Sequence, residues 1–200
     1  MNNNEKKALG RPKTVQKQRA TELAMEMYWQ DGLHSYSLNE ICRRVKLSKP
    51  SLYREFKNED GLMEAALMLY RTVVIEPMLE LRNLALPFNE VLEYAIVQLT
   101  SDRNQPAGCL FTQMRLAKPY LGPFTLKCLE KIEKERVDAF EEWYSKALKE
   151  GEVNAKVSPQ LAARYIDTQF TALLLQMGSN AHPDIVREQT RLAFTVLLRL

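Results

Sequence analysis

Between Thr14 and Leu62 the chain reads TVQKQRATELAMEMYWQDGLHSYSLNEICRRVKLSKPSLYREFKNEDGL, and the punctuation of that stretch admits few folds. Ala20, Leu23, Ala24 and Met27 recur at helical spacing, which predicts a helix from about Val15 to Asp31 with Thr14 as N-cap and Gly32 as a left-handed stop. A second helix opens at Ser37, where Ser37 and Glu40 match a capping box. Leu38, Ile41, Cys42 and Val45 form its apolar stripe, and Arg43 and Arg44 face away. A third, short helix has Ser48 as N-cap and Pro50 in its first turn, where a missing N–H costs nothing. Leu52 and Phe56 point inward, Lys49, Ser51 and Arg54 share the outer side, and Tyr53 lies on its flank. Two capped helices joined by a tight turn make a helix-turn-helix, whose second member fits the DNA major groove.

The chemistry of that outer side suits a duplex. Arg54 can pair bidentately with guanine. Ser48, Tyr53 and the helix N-terminus can donate to phosphates, and Lys49 and Ser51 suit either bases or phosphate. Ahead of the first helix, residues 1–13 form a basic arm whose Arg11 and Lys13 can enter the minor groove. The plainer alternatives are a helical hairpin with solvated polar residues and a solubilising tail.

Charge supports the first reading. Residues 1–57 hold 12 Lys and Arg against 6 Asp and Glu, a balance of +6, whereas residues 58–200 hold 16 against 19, a balance of −3. One end of the molecule is therefore expected to meet a polyanion, the alternative being a chance skew in solvated charges. With 46% hydrophobic and 26% charged residues the composition is that of a soluble globular protein. No apolar run is long enough to span a membrane, and the polar N-terminus is no secretory signal, so a cytoplasmic protein is expected. Cys42, Cys109 and Cys128 are odd in number and irregularly spaced, and His34 and His182 carry no metal-ligand spacing. No phosphate loop or zinc-protease motif occurs. No catalytic residue, metal or cofactor is expected, and the chain does not read as an enzyme.

Beyond Lys57 the pattern stays helical. A fourth helix, with Glu59 and Asp60 at its positive end, should include Leu62, Met63, Ala66, Leu67 and Tyr70 and run into the early eighties, kinked or ended by Pro77. Further helices are expected at about Asn89 to Thr100, Cys109 to Lys118, Phe124 to Glu150, Pro159 to Met177, and from Pro183 to the C-terminus. The fold class is all-α, with about nine helices.

Ala24, Tyr28, Gly32, Ser37, Ile41, Val45, Ser48, Leu52, Tyr53, Phe56 and Leu62 carry a resemblance. Their spacing, without a gap, is similar to the DNA-binding domain of the tetracycline-repressor (TetR) family of bacterial transcription regulators. The resemblance covers the first third of the chain. It implies a DNA-binding domain over residues 14–60 and a helical ligand-binding and dimerisation domain over residues 61–200. It further implies a homodimeric repressor, released from a palindromic double-stranded operator by a small-molecule effector. Lys49, Ser51, Tyr53 and Arg54 would then contact DNA, with Ser37 and Lys57 on phosphate. Three positions depart from the family pattern. Lys46 stands where glycine is frequent in the turn, Glu55 where His or Tyr is common, and Glu59 where Lys is usual.

In the second part, LLLQM at Leu173–Met177 and FTVLLRL at Phe194–Leu200 are more apolar than exposed helices can be. Packing the last two helices against their copies would make a four-helix interface, and the alternative is the core of a monomer. Candidates for contact with an effector, otherwise core or surface residues, are Phe111, Met114, Trp143, Tyr144 and Phe170 with the polar Gln113, Asp167 and Gln169. Cys109 reads as a small buried hydrophobe, and alternatively as a sensor thiol. Two other functions remain open: a DNA-organising protein without sequence preference, and a small helical enzyme using Cys109.

Overall fold

A computed structural model describes the backbone of residues 13–101, 106 and 108–199, with side chains from residue 16 onward. The arm expected at residues 1–13, with Arg11, lies outside the described residues, and of Lys13 only the backbone is described, as the first residue of α1.

Helix α1 (Lys13–Asp31) starts ahead of Thr14, which is thus inside the helix and not its cap. Gly32 ends it at φ 91°, a conformation that a β-carbon would strain. Helix α2 (Leu38–Arg44) is capped by Ser37, whose Oγ accepts from the Glu40 N–H at 3.3 Å. The reciprocal half of the expected capping box does not form, because the Glu40 carboxylate accepts instead from Arg43 and Arg44 at 2.5–2.8 Å. Those two guanidiniums hold the Glu40 carboxyl down at about 2. Helix α3 (Lys49–Phe56) packs against α2 and buries Leu52 and Phe56.

From Glu59 the chain climbs one long rod. Helix α4 (Glu59–Tyr70) passes through a π turn at Arg71–Ile75 into α5 (Glu76–Glu80) and a 3-10 turn at Leu81–Asn83. Pro77 explains the widened turn: it has no N–H to donate, and its ring would strike the carbonyl four residues back. The helix is therefore re-registered before Pro77 and does not end there.

Helix α6 (Phe88–Thr100) opens with the Phe88 N–H donating to Glu152 at 2.8 Å. Helix α7 (Leu110–Leu116) is followed by a 3-10 turn at Lys118–Tyr120. Helix α8 (Pro123–Lys149) is the longest, and α9 (Pro159–Gly178) and α10 (Pro183–Phe194) complete the set. Contrary to the sequence expectation, the last helix stops at Phe194. A 3-10 turn at Thr195–Leu197 follows, and Leu198 bridges Val153 in a single antiparallel pair.

Two apolar clusters share α8. The first joins α1 to α4, α7 and the front of α8 through Ala20, Tyr28, Leu52, Leu67, Leu110 and Leu129. The second joins α6, the rear of α8, α9 and α10 through Phe88, Ile96, Tyr144, Ile166 and Leu173. The first cluster runs on past residue 60, since Leu62, Met63 and Ala66 of α4 belong to it. No described helix is long and apolar enough to cross a membrane.

Candidate functional site

Local chemistry places α3 at the surface. The Ser48 hydroxyl accepts the Ser51 N–H at 3.3 Å and closes the helix N-terminus. Leu52 (0% exposed) and Phe56 (4%) anchor the inner face. Opposite them Lys49, Tyr53 and Arg54 are exposed, with Tyr53 at 48%, while Ser51 is half-buried. Both ends of the helix are bracketed by lysines in the left-handed region, Lys46 at φ 56° and Lys57 at φ 69°. Lys46, which stands where the resemblance has glycine, thus holds a conformation that strains a side chain, and a second instance at Lys57 had no sequence signal. Lys46→Gly should raise the unfolding free energy by about 0.5–1 kcal/mol, the left-handed penalty less the entropy glycine adds to the unfolded chain. The urea midpoint checks it; a fall in midpoint contradicts it.

Several expected DNA contacts already have partners. Arg54 Nε donates to Glu55 Oε1 at 3.0 Å, so the departure at Glu55 is absorbed by an ion pair. Ser48 donates its hydroxyl hydrogen to Ser51 Oγ at 3.0 Å. Ser37 is exposed, with its oxygen accepting at the α2 cap. Lys57 lies with Nζ 5.1 Å from the centre of the Phe124 ring, so it packs on the start of α8. On α2, Arg44 stacks over Tyr36 at 4.1 Å and adds positive surface beside the turn.

Immediately behind α3, Asp60 ties the two parts of the chain together. Its carboxylate accepts from the N–H of Phe124 at 2.8 Å and of Thr125 at 3.0 Å, and from the Thr125 hydroxyl at 2.6 Å. It therefore caps α8 from across the molecule, beside that helix's positive end. The fit needs Gly122, because a β-carbon there would run into the Asp60 carboxylate. Higher up, Gln113 donates to the Trp29 carbonyl at 3.0 Å, a second tie between α7 and α1.

Between these ties and the second core lies a cavity of about 430 Å³. Its wall includes Trp29 of α1, Tyr70 of α4, Val73 and Val74 of the π turn, Leu99 of α6, and Phe140, Trp143 and Phe170 of α8 and α9. Of the eight residues expected at a ligand, Trp143 and Phe170 line it. The others are engaged elsewhere. Phe111 and Met114 are fully buried core, and Phe111 lies under the Arg136 guanidinium at 4.8 Å. Tyr144 donates to the Asn154 carbonyl at 3.0 Å, and Gln113 is held by Trp29. Asp167 is paired with Arg115 and Arg136 at 2.8 Å each. Gln169 is half-buried on α9 and is not among the residues of the cavity wall.

Sequence reasoning missed Trp29 and Arg136 as wall residues. Trp29 sat two residues beyond a stripe that ended at Met27, and Arg136 looked like one more solvated charge on α8. Cys109 also reaches the wall, and the Tyr70 hydroxyl donates to its sulfur at 3.2 Å. Cys128 lies in the core, where burial pushes its thiol up to about 11. Among the described residues no group of three or more His, Cys, Asp or Glu could hold a metal ion.

Comparison with known proteins agrees with this anatomy. Residues 20–66 match the family model described as bacterial regulatory proteins, tetR family. Over 65 residues the chain is 38% identical to the HTH-type transcriptional repressor ComR of Escherichia coli K12, a match spanning 32% of this chain and 31% of that protein. Solved structures extend the likeness in fold to nearly the whole chain. A TetR-family regulator from Agrobacterium tumefaciens superposes with TM-score 0.81 at 14% identity, over 94% of this chain and 100% of the other. A cysteine mutant of the TetR-family regulator CifR, bound to a 26-base-pair operator duplex, gives 0.77 at 19% identity, over 97% and 100%.

Proposed function

We propose that this chain, a member of the tetR family of bacterial regulatory proteins, binds a two-fold symmetric operator as a homodimer, represses transcription there, and is released when a small molecule enters the cavity behind α1 and α4. The observation that carries the reading is α3: a capped helix whose polar side faces outward over a fully buried Leu52. The operator complex of CifR and the repressor name of the E. coli relative support DNA binding and repression.

Support for the dimer comes from exposed apolar residues on the last two helices. Leu161 and Leu175 on α9 are 61% and 40% exposed, and Ile185 and Leu192 on α10 are 56% and 71%. On each helix they fall along one stripe, and such stripes are covered at little cost by a second copy of themselves. Within the LLLQM and FTVLLRL segments, Leu173, Phe194 and Leu197 are by contrast buried in the chain's own core.

Selection of bound duplexes from a random pool tests the whole reading. A palindrome with half-sites about 34–36 Å apart is expected, and uniform coating of all sequences would overturn it. On the selected duplex Arg54→Ala should cost about 1–3 kcal/mol of binding and relax base preference at one position per half-site. An equal loss on every sequence would make Arg54 a phosphate contact.

A further inference from the structure

The wall of the cavity is unbalanced in charge. It holds two arginines, Arg82 and Arg136, and no carboxylate among its described residues. Arg136 is 6% exposed, and both Nε and Nη2 donate to the same oxygen of Asp167, at 3.0 and 2.8 Å. The other Asp167 oxygen accepts from Arg115 at 2.8 Å, so one carboxylate serves two guanidiniums. Arg115 also pairs with Glu133 at 3.1 Å, and Glu133 is shared with Lys118 at 2.7 Å. Asp167 is thus shared between two guanidiniums, and of this group only Arg136 lines the largely apolar space.

A second observation points the same way. Trp29, also on the wall, has its Nε1–H buried without an acceptor among the described residues. Buried N–H groups without a partner are rare, and each one asks for an explanation. A bound molecule with an acceptor atom supplies one.

We propose that the cavity takes an apolar acid, a single carboxylate-like or sulfonate-like head on an aromatic or aliphatic body, with the head drawn to Arg136 and an acceptor of the ligand closing on Trp29 Nε1–H. The proposal rests on the reading of this cavity as the effector site. It also says how occupancy reaches DNA. Trp29 belongs to the last turns of α1, its ring meets Tyr70 edge-on at 4.9 Å, and its carbonyl is held by Gln113. A ligand bonded to Trp29 fixes the first helix of the DNA-binding domain against the wall.

The test uses two probes with one body, 1-anilinonaphthalene-8-sulfonate and the neutral N-phenyl-1-naphthylamine, titrated into the full chain by fluorescence. The sulfonate should bind one per chain and about tenfold more tightly, the preference expected of a buried charge-assisted contact. Arg136→Gln should abolish the preference, and Trp29→Phe should weaken the sulfonate about three- to tenfold. Equal affinity of the two probes for the parent chain, or a preference that survives Arg136→Gln, overturns the assignment. Should Arg136→Gln fail to fold by circular dichroism, Asp167→Asn reads the same charge from the other side: the sulfonate should tighten, and an unchanged affinity overturns the proposal. Binding to a selected duplex is measured in parallel. Sulfonate preference without any change in DNA affinity supports the anion assignment and defeats the effector reading. Release of DNA by the neutral probe alone does the reverse.

Discussion

Asp167→Ala lowers the unfolding free energy by about 3–5 kcal/mol in urea titration, the cost of breaking a buried pair while leaving its partner charged. The geometry gives the reason. The side chains of Asp167 and Arg136 are 10% and 8% exposed, so little water can take over when the carboxylate goes. Arg136 loses two donated hydrogen bonds and Arg115 loses one. The guanidinium then sits between the rings of Phe111 and Phe140, which attract it weakly and accept no proton. Removing both partners is a different experiment. Arg136→Met combined with Asp167→Leu should recover most of the loss, because desolvation then has no charge to act on. A single-mutant loss below about 1 kcal/mol would show instead that water screens the pair as it does at surfaces.

Asp60→Ala lowers stability by about 2–4 kcal/mol, since an ionised cap with three short bonds is lost at a partly buried helix end. Thr125, fully buried, would keep only the Asp60 backbone carbonyl at 3.1 Å as acceptor for its hydroxyl, and the first turn of α8 would fray. The effect should be spatially divided. Amide exchange should quicken together in the first turns of α4 and α8, 64 residues apart in sequence, and hardly change in α10. Exchange rising in α4 alone would mean that Asp60 serves only its own helix. A loss below about 0.5 kcal/mol would mean that solvent replaces the cap.

What could be read from sequence was whatever local chemistry decides. Ser48, Pro50 and the Leu52/Phe56 pair specify α3 within nine residues, and each rule acts over a single turn. The strain at Lys46 was foreseeable from its place in a tight turn, whereas Lys57 follows Phe56 with no residue-type cue at all. Long-range pairing was out of reach. Asp167 stood out as an acid in an apolar helix, yet nothing within α9 says that its partners lie at Arg115 and Arg136. Asp60 looked like an ordinary acid at its own helix's positive end, and it is the cap of another. The cavity wall was mostly missed for the same reason: a residue lines a hollow by virtue of what four other helices do. The end of the last helix was misplaced because Thr195–Leu197 is as apolar and helix-compatible as the turn before it, while the Val153 bridge that ends it is 45 residues away.

The small ion pair between Arg54 and Glu55 has a bearing on how such a protein searches a genome. An exposed pair of this kind holds by no more than about 1 kcal/mol. On the proposed reading that is enough to bias the arginine toward its neighbour wherever the facing base offers a single acceptor, as thymine does. Only guanine, with two acceptors side by side, outbids the carboxylate cleanly. On that reading the acid that looked like a defect in α3 would act as a leash, slackening at the right base and holding the side chain back elsewhere, a little grip given up for discrimination.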